Sequence, residues 1–158
     1  FVSPVCKTRL RTADLTTNYN AFDSALHALK GAIEEFLRLT CPVQGLCRTT
    51  MSPIEIAGTS IEAGKKVMLL YGSGNRDERE FGGDANELNI RREVKRMLSF
   101  SSGPHFCLGA SLARLQGSIA LNELLARIPR FEVDLENARL APGHFVRRYE
   151  SLPFKALS

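Results

Sequence analysis

The sequence has no long apolar run. Its longest apolar stretches, such as Val67 to Tyr71, contain only a few residues, whereas a membrane-spanning helix needs about 20. The first twenty residues also lack the charged and then apolar layout of a signal peptide. We therefore expect no membrane span and, by default, a cytoplasmic setting. Because the sequence begins at Phe1 and not at methionine, we also expect a fragment or a processed start.

Cysteine patterns for metal binding or disulfides are missing too. The four cysteines form no CxxC pair and no His/Cys spacing of a zinc site. No secretory context favours disulfides, so Cys6, Cys41 and Cys47 are interpreted as ordinary thiols. Cys107 differs from the others because it lies at a glycine-rich turn that leads into a helical pattern.

The sequence also has only a small excess of positive charge. The net charge is +4, and the aromatic residues are not interleaved with basic ones as stacking platforms for nucleic acid require. We therefore expect no nucleic-acid partner. One denser basic cluster contains Arg91, Arg92, Lys95 and Arg96. It is either a solvated face or a surface that attracts an acidic protein partner.

What the sequence does contain is typical of one α+β domain, mainly α with a small antiparallel sheet. Its 158 residues are 44% apolar, enough for one core. Apolar residues recur at helical spacing from Phe22 to Leu37, either as one helix or as two that break near Gly31. Short β-prone runs over 54–71 predict the sheet, and an irregular segment follows over 72–104. A second helix over 108–128 and short closing strands near 131–135 and 152–154 complete the pattern.

The turn that contains Cys107 carries the most specific motif. Residues 100–114 read Phe-Ser-Ser-Gly-Pro-His-Phe-Cys-Leu-Gly-Ala-Ser-Leu-Ala-Arg. This segment resembles the cysteine-ligand loop of the cytochromes P450, in which Phe, Gly, His or Arg, Cys and Gly recur at these intervals. So many residue types at fixed offsets are a strong indication. The resemblance implies haem b as the cofactor, and the matching positions are Phe100, Gly103, His105, Cys107, Gly109 and Ala113.

The resemblance makes Cys107 the axial thiolate ligand of the haem iron. Cys107 precedes the helical pattern that starts near Leu108, where the helix dipole and free backbone N–H groups favour thiolate over thiol. Gly103 and Gly109 permit the tight backbone and close approach that the loop needs. Phe100 is expected to pack beside the sulfur and exclude water. A thiolate ligand donates electron density that promotes O–O cleavage.

Two side chains are expected at the haem propionates. The family counterpart of His105 bonds a propionate, and the alternatives are a structural histidine, a catalytic base or a second iron ligand. Arg48 resembles the arginine that the family aims at a propionate, and its alternative is a surface cation at a strand start. A guanidinium can donate two parallel hydrogen bonds to a carboxylate.

A second motif supports the resemblance. Glu35-Phe36-Leu37-Arg38 matches the family's Glu-x-x-Arg, and the i, i+3 spacing places both charges on one helix face. Without the resemblance this is an exposed pair that contributes about 0.3–0.5 kcal/mol. With Arg92 it becomes a three-charge structural network that pins the irregular segment under the haem. Residues 74–77, Gly-Asn-Arg-Asp, also resemble the family's Ala-Asn-Arg-Asp.

The resemblance is closest to soluble bacterial members, and it places 22–158 as the C-terminal, haem-ligating part of the domain. Residues 1–21 carry no recognisable resemblance and are interpreted as a disordered or non-native start. Asp14-Leu15-Thr16-Thr17 echoes the family's distal acid–alcohol pair only faintly, so we expect no catalytic side chain beyond the iron ligand.

The implied function is insertion of one oxygen atom of O2 into an apolar small molecule, with electrons from a ferredoxin-type donor. The alternative is a truncated, catalytically inert remnant, a haem-binding sensor or an interaction module. Because the distal helix is expected to be missing, the isolated chain should bind haem poorly and show no coupled turnover.

Overall fold

The computed structural model of the protein describes residues 22–143 and 145–157. Within these ranges the α+β class is confirmed, because helices alternate with short antiparallel strands. In chain order the elements are α1 Phe22–Thr40, β1 Leu46–Thr49, β2 Ile54–Ile56, β3 Thr59–Ile61, β4 Lys66–Leu69, α2 Tyr71–Gly74, α3 Glu78–Phe81, a 3-10 turn Gly103–His105, α4 Ala110–Arg127, β5 Phe131–Val133, β6 Arg139–Leu140, β7 Tyr149–Ser151 and β8 Phe154–Ala156.

The first apolar pattern forms one continuous helix, α1, and not two shorter ones. A Cβ atom at Gly31 would lie 2.8 Å from the carbonyl oxygen of Ile90, so glycine lets the irregular segment approach the helix closely. This contact explains why α1 carries a residue that costs about 1 kcal/mol relative to alanine. The helix ends at Thr40, after which Cys41 has a φ of 38° and Pro42 cannot continue the helix.

The strands form two-stranded antiparallel sheets, in the pairs β1–β4, β2–β3, β5–β8 and β6–β7. The sheet predicted over 54–71 is thus divided into the β2–β3 hairpin and β4, and β4 pairs with β1, which lies before the predicted sheet and contains Arg48. The hairpin turns at Ala57 and Gly58, whose φ angles of 48° and 78° are typical of a type I′ turn. The predicted closing strands pair as β5 and β8.

The segment predicted to be irregular contains two single-turn helices, α2 and α3, and is otherwise built from turns. It lies against α1, where the buried residues of the described chain concentrate. Apolar and polar residues share this region, and the side chains that are almost fully enclosed are Ala32, Glu35, Arg38, Cys41, Asn75 and Ala85.

The second long helix, α4, begins at Ala110, two residues later than predicted, and ends at Arg127 before Pro129. It packs against α1, and a Cβ atom at Gly117 would lie 3.7 Å from Cγ2 of Ile33. Three apolar side chains of α4, those of Leu112, Leu115 and Ile119, are exposed. Within the described residues, no helix is long and apolar enough to cross a membrane.

Candidate functional site

The loop that carries Cys107 turns back on itself just before α4. Gly103 begins a 3-10 turn with a φ of 63°, a conformation that favours glycine. The backbone N–H of Phe106 donates to the carbonyl of Gly103 at 3.0 Å, and that of Cys107 donates to the carbonyl of Phe100 at 2.8 Å. The backbone of Cys107 is therefore hydrogen-bonded to Phe100 at the start of the loop, and Cys107 lies three residues before α4 begins.

Cys107 is exposed and makes no disulfide. Phe106, Leu108 and Leu112 surround its position in sequence and are also exposed, Leu108 completely. Large apolar side chains are normally withdrawn from water, so their grouping around one free thiol creates an apolar surface with a sulfur donor on it.

Phe100 lies behind the loop and is 8% exposed. Its ring is 6.5 Å from the ring of Phe106, centroid to centroid. Gly109 precedes α4 with an ordinary φ of −84°, and a Cβ there would meet Sγ of Cys107 at 3.8 Å without a clash. Its backbone therefore does not require glycine, and the cofactor-side role predicted for Gly109 stays a prediction. Ala113, half-buried in the first turn of α4, has no side-chain function of its own in the structure.

The residue after Phe100 has a strained backbone. Ser101 has a φ of 62°, which costs a residue other than glycine roughly 1–2 kcal/mol. Its N–H donates to the carbonyl of Leu98 at 2.8 Å, and its hydroxyl lies 3.2 Å from the hydroxyl of buried Tyr71. These two contacts hold Ser101 in place, next to Phe100 at the start of the loop that carries Cys107.

The structure brings Glu35, Arg38 and Arg92 together. Arg38 and Glu35 form a two-pronged ion pair at 2.7 Å for both contacts, and both side chains are fully buried. The same guanidinium donates to the carbonyls of Asn75 and Ala85 at 2.6 and 2.7 Å. Arg38 therefore joins α1 to the two ends of the segment that contains α3.

Arg92 completes this group of charges. Its Nε donates to Glu35 at 3.2 Å, and its Nη2 pairs with the carboxylate of Asp84 at 2.8 Å. Burial by itself raises the pKa of Glu35, but hydrogen bonds from Arg38, from the backbone N–H of Asn89 and from Arg92 outweigh it and lower that pKa. Glu35 is thus held as a carboxylate.

Asn75 and Ser99 tie this group to the cysteine loop, and sequence reasoning did not assign them that role. Fully buried Asn75 accepts from the N–H of Leu98 at 2.6 Å and donates to the carbonyl of Arg38 at 3.2 Å and to the hydroxyl of Ser99 at 2.8 Å. Ser99 then donates to the carbonyl of Leu37 at 2.6 Å. The Gly-Asn-Arg-Asp motif was the available signal for Asn75, since an amide can bond two backbone strands at once.

Among the described residues, the two predicted propionate ligands have no acidic partner. Arg48, on β1, donates to the carbonyl of its neighbour Cys47 at 3.0 Å, and no carboxylate of the described residues lies within ion-pair distance of it. His105 is exposed at the end of the 3-10 turn. Both are chemically suited to a carboxylate, and their role stays a prediction.

The basic cluster is smaller than the sequence indicated. Arg92 belongs to the buried group, and Arg114, a cation seven residues beyond Cys107, pairs with Glu34. Arg91 and Lys95 are exposed, and exposed Arg96 lies 3.3 Å from Glu80. What remains is a modest cationic surface next to the loop.

The other sequence predictions concern thiols and the first residues. Cys41 is buried, and burial raises its pKa, whereas Cys47 is exposed on β1 next to Met68. The described residues contain no cluster of three His, Cys, Asp or Glu that could hold a metal ion. Cys6, the Asp14–Thr17 segment and the start predicted over 1–21 lie outside the described residues.

Comparison with known proteins identifies the family. The family model of cytochrome P450 matches residues 21–142. Cytochrome P450 130 of Mycobacterium tuberculosis is 54% identical over 127 residues, which cover 80% of this chain and 31% of that protein. Steroid C26-monooxygenase of the same species is 42% identical over 127 residues, 79% of this chain and 34% of that protein. The chain therefore spans about a third of the length of these relatives.

Solved structures agree with the sequence matches. P450BioI, crystallised with an acyl carrier protein that bears hexadec-9Z-enoic acid, is 36% identical with a TM-score of 0.79, over 85% of this chain and 35% of that one. Cytochrome P450 PksS of Bacillus subtilis 168 is 38% identical with a TM-score of 0.77, over 83% of this chain and 34% of that one.

The residues around Cys107 fit the cofactor of this family. A thiolate-ligated haem needs a sulfur donor, an apolar surface for its macrocycle and hydrogen-bond donors for its two carboxylates. The exposed thiol of Cys107, the apolar side chains beside it, and the guanidinium of Arg48, which has no ion-pair partner among the described residues, are donors and surfaces of those kinds. The chain belongs to the cytochrome P450 family, whose cofactor is haem b with an axial cysteine thiolate.

Proposed function

We propose that this chain supplies the haem-ligating side of a haem-thiolate monooxygenase, with Cys107 as the protein's iron ligand. When bound, the haem supplies the redox and oxygen chemistry. The residues described here hold the sulfur, limit its access to water and anchor the haem carboxylates.

The observation that carries the proposal is the setting of Cys107. It is an exposed, unpaired thiol whose backbone is fixed by a hydrogen bond to Phe100, and it lies on an apolar surface just before the N-terminus of α4. A helix N-terminus favours a thiolate because its free N–H groups carry partial positive charge. Cys41 is buried and Cys47 lies on a strand, so neither offers these conditions.

The other residues act around the sulfur. Phe100 covers the loop from behind and keeps water from that side, which affects the redox potential of a bound metal centre. Arg48 and His105 are proposed to donate hydrogen bonds to the two haem carboxylates. The Glu35, Arg38 and Arg92 group holds the backbone that presents Cys107 and does not touch a substrate.

The proposed substrate is an apolar small molecule. Relatives of this chain from two species are named steroid C26-monooxygenases, and P450BioI was crystallised with an acyl chain on an acyl carrier protein. Steroids and acyl chains are both mostly apolar. These names therefore support the proposed substrate class but do not identify one compound.

The proposed electron donor is an acidic ferredoxin that docks on the cationic surface at Arg91 and Lys95, in the cytoplasm. Reversing both charges to Glu should slow association several-fold and weaken its dependence on salt, because steering acts through long-range charge. Lys155→Glu on β8 is the matched control. An unchanged rate in the double variant would leave this surface as a solvated face.

The ligand assignment is tested by spectroscopy with the chain in excess over haem. The reduced carbon monoxide complex of the wild type and of Cys47→Ala should show the red-shifted band of thiolate ligation, and Cys107→Ala should lose it. If the band persists in Cys107→Ala, the ligand is another residue and the proposal fails.

A further inference from the structure

One ion pair joins the two long helices beside the cysteine loop. Arg114 of α4 donates from Nε and Nη2 to the two carboxylate oxygens of Glu34 of α1, at 2.5 and 2.9 Å. The side chains are 36% and 26% exposed, respectively. Two parallel bonds from a planar guanidinium fix direction as well as distance. Glu34 therefore sets the orientation of Arg114.

The same guanidinium covers the ring of Phe100. Its Cζ lies 4.7 Å from the ring centroid, within the range of an attractive cation–π contact. The ring itself is nearly enclosed, and the carbonyl of Phe100 accepts the N–H of Cys107. Contacts thus run without a gap from Glu34 through Arg114 and Phe100 to the backbone of Cys107.

This pair differs from the other ion pairs near the loop. The buried group around Arg38 holds backbone carbonyls of the segment before the loop and does not reach the Phe100 ring. On α4 itself, Arg127 pairs with Glu123 one turn away at 2.7 Å, and both are mostly exposed. That pair stays within one helix and positions nothing else in the described chain.

We propose that Glu34 and Arg114 are positioning residues that clamp Phe100, and through it hold Cys107 in place for the haem iron. The second half of this inference rests on the proposed function of Cys107, whereas the clamp itself does not. Lysine cannot replace Arg114, since an ammonium makes neither the forked bond to Glu34 nor a flat contact with the ring.

The clamp is tested first without haem, by amide hydrogen exchange on the full chain. Exchange of the Cys107 N–H reports whether Phe100 keeps its place, because that N–H is bonded to the Phe100 carbonyl. Arg114→Met, Arg114→Lys and Glu34→Gln should each speed it by about tenfold relative to wild type. Arg127→Met should leave it unchanged.

The N–H of Cys41, bonded to Leu37 at the end of α1, is the reference for global folding. If Cys107 and Cys41 exchange faster by the same factor in all three variants, the pair has only a general structural role and the proposal fails. It also fails if exchange at Cys107 stays within about twofold of wild type.

With haem bound, the readout is the share of the reduced carbon monoxide complex that has the thiolate-type band. At equal haem content, Arg114→Lys should lower that share and Arg127→Met should not. An unaltered share would refute the proposed effect of Arg114 on ligation of the iron by Cys107. Whether Glu34 and Arg114 clamp Phe100 is decided separately by the hydrogen-exchange result. A wild-type chain without the band at all would instead refute the assignment of Cys107.

Discussion

Removing Arg38 should unfold the region that presents Cys107. The side chain is fully buried and donates to the Glu35 carboxylate and to the carbonyls of Asn75 and Ala85, all within 2.7 Å. It also donates a longer bond, of 3.3 Å, to the backbone carbonyl of Glu87. Arg38→Ala deletes every one of these bonds. It leaves the buried carboxylate and carbonyl oxygens facing a cavity without a hydrogen-bond donor from residue 38.

The magnitude follows from what stays behind. Glu35 would remain buried with the backbone N–H of Asn89 at 3.0 Å and Arg92 at 3.2 Å as its remaining partners. Breaking a buried ion pair by removing one partner costs about 3–5 kcal/mol. Each orphaned buried carbonyl adds about 1–3 kcal/mol. A typical domain is stable by only about 5–15 kcal/mol, so most of the stability should be lost.

The assay compares the soluble yield and haem content of Arg38→Ala with those of Arg79→Ala, and the urea unfolding midpoints if both variants are soluble. Arg79 is 90% exposed and pairs with Asp77, so its loss should leave these quantities unchanged. We expect Arg38→Ala to yield no soluble, haem-loaded protein. Arg38→Ala with normal haem content and only slower chemistry would refute the structural role argued for this residue.

Four further predictions follow from the structure. Because the folded state lowers the pKa of Glu35 below its ordinary 4.5, its contribution to stability is complete above that pH and is lost as pH falls through the folded pKa. Urea midpoints measured down the acid range should therefore fall less steeply in Glu35→Gln. Asn75→Ala should destabilise by about 2–4 kcal/mol in urea unfolding, through two lost backbone bonds in a buried site, and Gly31→Ala should also destabilise because its Cβ would meet the Ile90 carbonyl at 2.8 Å. The isolated chain should lose haem readily to apomyoglobin, since apolar residues beside Cys107 stay exposed; tight stoichiometric haem would contradict this.

The sequence predicted the long elements better than the short ones. Helical spacing of apolar residues was enough for α1 and α4, because each exceeds four turns and the period repeats. It could not decide whether α1 breaks at Gly31, since the reason for glycine is the carbonyl of Ile90, almost sixty residues away. Strand β1 was not predicted as part of the sheet because Leu46–Thr49 is short and is defined by its partner β4.

The contacts of the candidate site, too, were predicted only in part. The resemblance to the cytochromes P450 implied that Glu35, Arg38 and Arg92 meet, and the structure places them in contact. Spacing could not show that Arg114 contacts Glu34 and Phe100. That choice depends on how α1 and α4 pack, which no local pattern encodes.

The central claim, that Cys107 binds the haem iron, is tested most directly by X-ray absorption at the iron edge. With the chain in excess over haem, the wild type and Cys47→Ala should show one sulfur scatterer at bonding distance from iron. Cys107→Ala should show only nitrogen and oxygen neighbours. A sulfur scatterer that remains in Cys107→Ala, or is absent from the wild type, would contradict the account.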